Sequence, residues 1–262
     1  MQRLRRLLRR RSVRRSEGAF VVEGTKLLAG ALAAGAVVES VFVEAGARGQ
    51  PAVEDVVRAA LDRGARVFDL GAGVIERVAD TVTPQPVLAV VAMPQATLEE
   101  VSGAGFVVVC VDVRDPGNAG AIVRVADAAG ADAVVCCDGT VDAFNPKTVR
   151  ASAGSVLHLP VVSSGDAAST LDALGAAGLT RVAAVASGGV PYTDLDPTGR
   201  LALVLGNEAG GVPHEALDHV DARVTIPMAG GVESLNVSTA AAVLCFDVAR
   251  RRSNLHAMER TS

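Results

Sequence analysis

Three stretches of this 262-residue sequence set polar side chains among glycines at spacings that suit a ligand site. In the first, Asp112-Val-Arg-Asp-Pro-Gly-Asn118-Ala-Gly120-Ala-Ile-Val-Arg124, a Pro-Gly turn follows an apolar run and opens a helical pattern. Arg124 lies nearly two turns beyond Asn118 and is expected to point back along the strand edge. The second is Leu203-Val-Leu-Gly206-Asn207-Glu208-Ala-Gly210-Gly211-Val, where Gly206 directly after a strand permits a close backbone approach. The third is Ile226-Pro227-Met228-Ala-Gly-Gly-Val-Glu233-Ser234-Leu235-Asn236-Val-Ser238. Each follows a predicted strand, and open parallel sheets bind ligands along that carboxyl edge. Plainer readings exist: Asn118 as a helix N-cap, Arg124 as a solvated helix residue, and Ser234 as the cap of the last helix. An ordinary strand–turn–helix connection leaves Asn207 and Glu208 without a purpose.

Other chemistries lack their residues. There is no GxxxxGK[ST] loop, Gly71-Ala-Gly73-Val-Ile-Glu76 lacks the third glycine of a dinucleotide fingerprint, and no GxSxG elbow occurs. The four histidines never pair at i, i+4, so no metal is expected. Cys110, Cys136, Cys137 and Cys245 form no CxxC pair and read as reduced core thiols.

The elements that must position these stretches follow from apolar periodicity. Strands are predicted at 20–23, 37–43, 65–70 and 87–92, with helices at 25–34 and 53–63. A second series begins at 106–113, an uninterrupted apolar strand expected to be buried on both faces. It continues with strands near 133–137, 157–162, 181–186, 201–205 and 223–226. Helices are predicted at 119–129, 146–153, 167–177 and 234–251. The alternation reads as a parallel α/β sheet, with domains at 1–97 and 98–262.

Charge is segregated. The net charge is −4, yet residues 1–15 hold eight arginines and no acid, which leaves the remainder at −12. This basic segment, with Leu4, Leu7 and Leu8 among its arginines, is expected to be an arm that adds salt-sensitive phosphate contacts. Glu17, Glu23 and Lys26 interrupt any export signal, and no apolar run reaches the ~20 residues of a membrane helix. A cytoplasmic protein without membrane association is expected.

The strings NAGAIVR at 118–124, LVLGNEAGGV at 203–212 and IPMAGGVESLNVSTAAAV at 226–243 together resemble, in order and spacing, the SpoU (TrmH-type) branch of the SPOUT RNA ribose 2′-O-methyltransferases. The resemblance spans roughly residues 106–250, and the preceding segment looks like a small L30e-like α/β substrate-binding domain. It implies a parallel-sheet SPOUT domain with a C-terminal trefoil knot, S-adenosylmethionine as cofactor, a homodimer and an RNA substrate. Gly206, Ile226 and Leu235 then match positions whose backbone holds the cofactor. Asn118, Arg124, Glu208, Ser234 and Asn236 match the polar active-site positions. Arg150, in Asn145-Pro-Lys147-Thr-Val-Arg150, matches a basic position expected on substrate phosphate, across the dimer interface. The family assigns Arg124 the role of base, but a guanidinium keeps its proton to pH above ~12, so a phosphate clamp stands beside it. The fused first domain favours 23S rRNA; a tRNA ribose methyltransferase and a non-catalytic RNA-binding protein are the alternatives.

Overall fold

The computed structural model describes residues 1–79 and 83–259, with side chains through 254. The chain divides into two compact units: residues 1–94 with 142–158, and residues 95–141 with those described from 159 onward.

The first unit begins with α1 (Gln2–Arg9) and α2 (Arg11–Glu17). Leu4, Leu7 and Leu8 fall on one helical stripe and are buried over the sheet, packing with residues such as Leu88 and Val90. The basic segment is therefore a packed layer rather than an arm, because burying three leucines outweighs whatever hydration the arginines lose. Arg3 is paired with Glu17 and Glu39, and Arg14 is buried. Gly18, at φ +58°, ends α2 in the left-handed conformation and turns the chain into the sheet.

There follow β1 (Ala19–Glu23), α3 (Thr25–Ala33), β2 (Val38–Glu44), α4 (Pro51–Asp62), β3 (Arg66–Leu70) and β4 (Val87–Ala92). The sheet order is β1-β4-β2-β3. Only β2 and β3 are parallel; β4 runs antiparallel to both its neighbours, which corrects the all-parallel expectation for this half. No crossover helix joins β3 to β4 among the described residues, and a parallel return needs one.

The second unit contains β5 (Phe106–Cys110), α5 (Pro116–Ala128) and β6 (Ala133–Cys136). The chain then passes through α6 (Pro146–Ala151), which belongs to the first unit. It continues with β7 (Val161–Ser163), α7 (Ala167–Ala176), β8 (Thr180–Ala184) and β9 (Val190–Pro191). Last come β10 (Leu201–Leu205), α8 (His214–Leu217), β11 (Ala222–Thr225) and α9 (Val237–Glu259). These seven strands form a sheet of order β7-β6-β5-β10-β8-β11-β9 in which every pairing is parallel. The fully buried runs of β5 and β10 lie side by side in its middle, as their unbroken apolar sequences require. Strand order reverses there, and the crevice at such a reversal is where a ligand fits. The predicted strand at 157–162 is shorter, because residues 155–157 form a 3₁₀ turn.

Residues 142–158 pack with the first unit, unlike a simple division at 97/98. Phe144 meets Phe20 at 5.0 Å between ring centroids. Asp142 Oδ2 accepts from Arg14 Nε and Nη2 at 2.8 and 2.5 Å, while Arg14 Nη1 donates to Leu7 O at 2.6 Å. Arg150 Nη1 donates to Glu23 Oε2 at 2.9 Å.

Candidate active site

Gly206, buried at the end of β10, begins a hairpin that folds straight back on itself. Asn207 and Gly211 exchange both backbone hydrogen bonds, each at 2.9 Å, and Gly211 takes φ +67°. A Cβ on residue 206 would overlap the backbone of Gly211 and Val212, so only glycine fits. Asn207 fixes the hairpin in two directions. Its Nδ2 donates to Asp112 O at 2.9 Å, and its Oδ1 accepts from the backbone N–H groups of Ala209 and Gly210. Asp112 itself sits at φ +57°, an uncommon conformation for a non-glycine residue. Sequence spacing alone assigns Asn207 no role. The available signal was an amide, donor and acceptor at once, placed inside a glycine-rich turn.

Once the hairpin is set, Glu208 is presented to the polar residues of the other two loops. Asn118 Nδ2 donates to Glu208 Oε1 at 2.7 Å, and Asn236 Nδ2 donates to Asn118 Oδ1 at 3.0 Å. Asn236 Oδ1 accepts from the backbone N–H of Ser238 at 2.9 Å. The two ends dictate the amide orientations: the Ser238 N–H can only donate, and an ionised Glu208 can only accept.

Helix capping is distributed differently from the plain sequence readings. Asp115 caps α5 by accepting from the Asn118 N–H at 2.8 Å, which leaves the Asn118 side chain for the network. Asn236, not Ser234, caps α9 through the Ser238 and Thr239 N–H groups. That explains why the last helix starts at Val237 rather than at 234.

Beside this network lies a cavity of about 470 Å³ at the carboxyl ends of β8, β10 and β11, within the usual range for small-molecule sites. Gly206, Glu208, Ile226, Ser234 and Leu235 all line it. The backbone N–H and C=O groups of Ile226 and Leu235 make no hydrogen bond among the described residues. Half-buried polar groups of this kind call for a ligand or water. Ser234 is exposed, and its hydroxyl likewise has no partner among the described residues.

Two expected site residues stand apart. Arg124 is exposed on α5, does not line the cavity and makes no ion pair or hydrogen bond among the described residues. About one and two-thirds turns separate it from Asn118, which puts it on a different side of the helix. Arg150 belongs to the first unit and is paired with Glu23 rather than freely solvated.

The cysteines offer no reactive group. All four are free and buried. Burial pushes the Cys137 and Cys245 thiols up to about 12. A hydrogen bond with Cys136, together with burial, raises Cys110. Among the described residues no group of three His, Cys, Asp or Glu side chains is arranged to hold a metal, and no helix is long and apolar enough to cross a membrane.

Comparison with known proteins identifies relatives of the chain. Residues 105–246 match the model of the SpoU rRNA Methylase family, and residues 1–89 match the MRM3-like substrate binding domain. The chain is 37% identical over 227 residues to the 23S rRNA (guanosine(2553)-2′-O)-methyltransferase RlmP of Bacillus subtilis, covering 87% of each protein. An AdoMet-bound rRNA methyltransferase from Sinorhizobium meliloti superposes with a TM-score of 0.83 at 32% identity, over 95% of this chain and 94% of that one. The SpoU methyltransferase AviRb from Streptomyces viridochromogenes, also in complex with AdoMet, gives a TM-score of 0.87 at 28% identity, over 96% and 97%.

Proposed function

The chain belongs to the SpoU rRNA Methylase family, and from that membership we propose that it is an S-adenosylmethionine-dependent RNA ribose 2′-O-methyltransferase acting on 23S rRNA. The observation that carries this reading is the Asn118–Glu208–Asn236 network standing at the cavity lined by Gly206, Ile226 and Leu235. The free main-chain groups of Ile226 and Leu235 fit a cofactor recognised by backbone hydrogen bonds, and Gly206, by letting the hairpin fold closely against it, shapes the wall that faces it. When bound, S-adenosylmethionine supplies an electrophilic sulfonium methyl, so the protein needs neither a metal nor a covalent intermediate.

What remains for the chain is to orient a ribose 2′-hydroxyl and receive its proton. Glu208 Oε1 is held by Asn118, while Oε2 has no hydrogen bond among the described residues and accepts from the substrate hydroxyl. Ser234 offers its free hydroxyl from the cavity wall as a further hydrogen-bonding contact. Arg124, charged and unpaired on α5, acts as the phosphate clamp rather than the base. Arg150 retains Nε and Nη2 for a second phosphate.

The reading further includes a homodimer, a C-terminal trefoil knot, a cytoplasmic location and a first domain that grips RNA, with boundaries near 97/98. In support of the dimer, α9 presents Phe246 half exposed.

The deciding experiment incubates the protein with methyl-labelled S-adenosylmethionine and deproteinised rRNA or tRNA, then digests the RNA to nucleosides. Label in a 2′-O-methylnucleoside of 23S rRNA is expected. Label confined to tRNA would replace the substrate, and absence of cofactor binding would leave a non-catalytic RNA-binding protein.

A further inference from the structure

Aromatic side chains are scarce in this chain, which has six Phe, one Tyr and no Trp. Phe20, Phe106 and Phe144 are buried in the two cores. Phe68 is used differently. It lies on β3, an edge strand, directly opposite Phe42 of β2 in the parallel register. The rings stack with centroids 5.3 Å apart and planes 17° from parallel. Phe42 thus supports one face of the Phe68 ring, while 42% of Phe68 stays open to solvent.

The surroundings of that ring are cationic. Arg66, two residues earlier and so on the same sheet face, is exposed and has no partner among the described residues. Phe42 also packs against the core cluster that the buried leucines of α1 join, so the helical layer lies over this same face. That layer holds Arg5, Arg9, Arg10 and Arg15 exposed and without an ion pair among the described residues, while Arg6 pairs with Glu17. Of the neighbouring carboxylates, Asp69 points to the opposite face by strand alternation and is bound by Arg48 at 2.7 Å, and Glu44, on the same face two residues beyond Phe42, accepts from the Gly73 N–H at 2.8 Å. A flat apolar ring beside unpaired guanidinium groups matches a ligand that carries a planar π face and a phosphate in every repeat unit.

We infer that the stacked Phe42–Phe68 pair, with Arg66, is a platform on which an unpaired base of the RNA substrate stacks. The inference rests on the proposed RNA substrate and assigns the place where the first unit engages it. A single strand is required, because base faces are hidden in a duplex.

The test measures binding of a fluorophore-labelled single-stranded RNA oligonucleotide and of a hairpin duplex to the full chain, with no cofactor present. Phe68→Leu keeps the apolar contact with Phe42 but removes the π face; Phe68→Trp restores one. The Leu variant is expected to bind the single strand roughly five- to a hundredfold more weakly. The Trp variant should bind as well as wild type, and the duplex should distinguish none of the three. Photocrosslinking with thiouridine-substituted RNA should label the tryptic peptide Val67–Arg77. Equal single-strand affinity of the wild type and Phe68→Leu, or a crosslink map that omits this peptide, would overturn the inference and leave the face to a protein partner. Because no methyl transfer is read, failure here is distinct from failure of the proposed activity.

Discussion

Asn118, Glu208 and Asn236 in the second unit, and Arg14, Asp142, Glu23 and Arg150 in the first, join segments between 90 and 128 residues apart in sequence. The two groups share hydrogen-bonding chemistry but differ in what they leave over. In the group from the first unit, Arg14 meets Asp142 and Arg150 meets Glu23, and Arg14 is buried with its remaining hydrogen bonds made to the Leu7 and Leu8 carbonyls. In the second, neutral amides hold a single carboxylate beside a cavity, and groups at Ser234, Ile226 and Leu235 stay unmatched among the described residues. Satisfied charges fasten segments together, whereas valences left open beside a cavity are where a ligand is held.

The largest effect should come from closing the open side. Gly206→Ala forces a Cβ into the backbone of Gly211 and Val212, and neither can yield without dissolving the hairpin that carries Glu208. Calorimetric titration with S-adenosylmethionine should show binding abolished while unit 1 keeps its helical signal. Retained affinity would mean that the hairpin is not the cradle.

Next in size is the closed side. Asp142→Ala leaves the Arg14 guanidinium buried without its anion, which costs about 3–5 kcal/mol. The urea midpoint of the transition involving the first unit should fall accordingly. Cofactor affinity should hardly change, since no group in the cavity is touched. A midpoint shift of only a few tenths of a molar would place Arg14 with ordinary surface ion pairs.

Much of this contrast was legible in the sequence, and the reason for the rest is physical. The buried runs of β5 and β10 are readable because a strand covered on both faces needs unbroken apolar residues. Asn118, Glu208 and Asn236 are readable because their loops carry glycine beside polar residues. Periodicity does not encode strand direction, so the antiparallel insertion of β4 was invisible. Nor does it reveal that residues 142–158 return to the first unit, a matter of long-range pairing by Arg14, Phe20 and Glu23. Ser234 and Asn236 are both good caps two residues apart, and only three-dimensional geometry chooses between them. Arg124 sits on a different side of α5 from Asn118, so helical spacing alone does not bring it into the network.

A smaller effect tests whether the open network does chemistry. Asn118→Ala removes the donor to Glu208 Oε1 and the acceptor of Asn236 in one step. Loss of one positioned contact of this sort lowers kcat about a hundredfold, or ~2.7 kcal/mol. Thermal stability should change little, because Asp115 still caps α5 through the residue-118 N–H. A KM increase with unchanged kcat would show instead that Asn118 only helps substrate bind.

Arg150 is the residue on which the comparison turns, since it belongs to both descriptions. One of its nitrogens meets Glu23, yet its side chain is 31% exposed and two further nitrogens are uncommitted among the described residues. If it only fastens α6, Arg150→Ala should cost about 1–3 kcal/mol, because the Glu23 side chain is only 7% exposed and loses its cation. RNA affinity and its salt dependence would then be unchanged. If it also holds substrate phosphate, affinity should fall modestly for every sequence, and the slope of log affinity against log salt should drop by about 1. We expect the second result, because Glu23 also accepts from the Gln85 N–H and so depends less on Arg150. Arg150→Lys sharpens the reading: it keeps the point charge but loses the fork, so a phosphate contact should be largely retained while the Glu23 pair weakens. A variant series in which stability changes and the salt slope does not would return Arg150 to the fastening side.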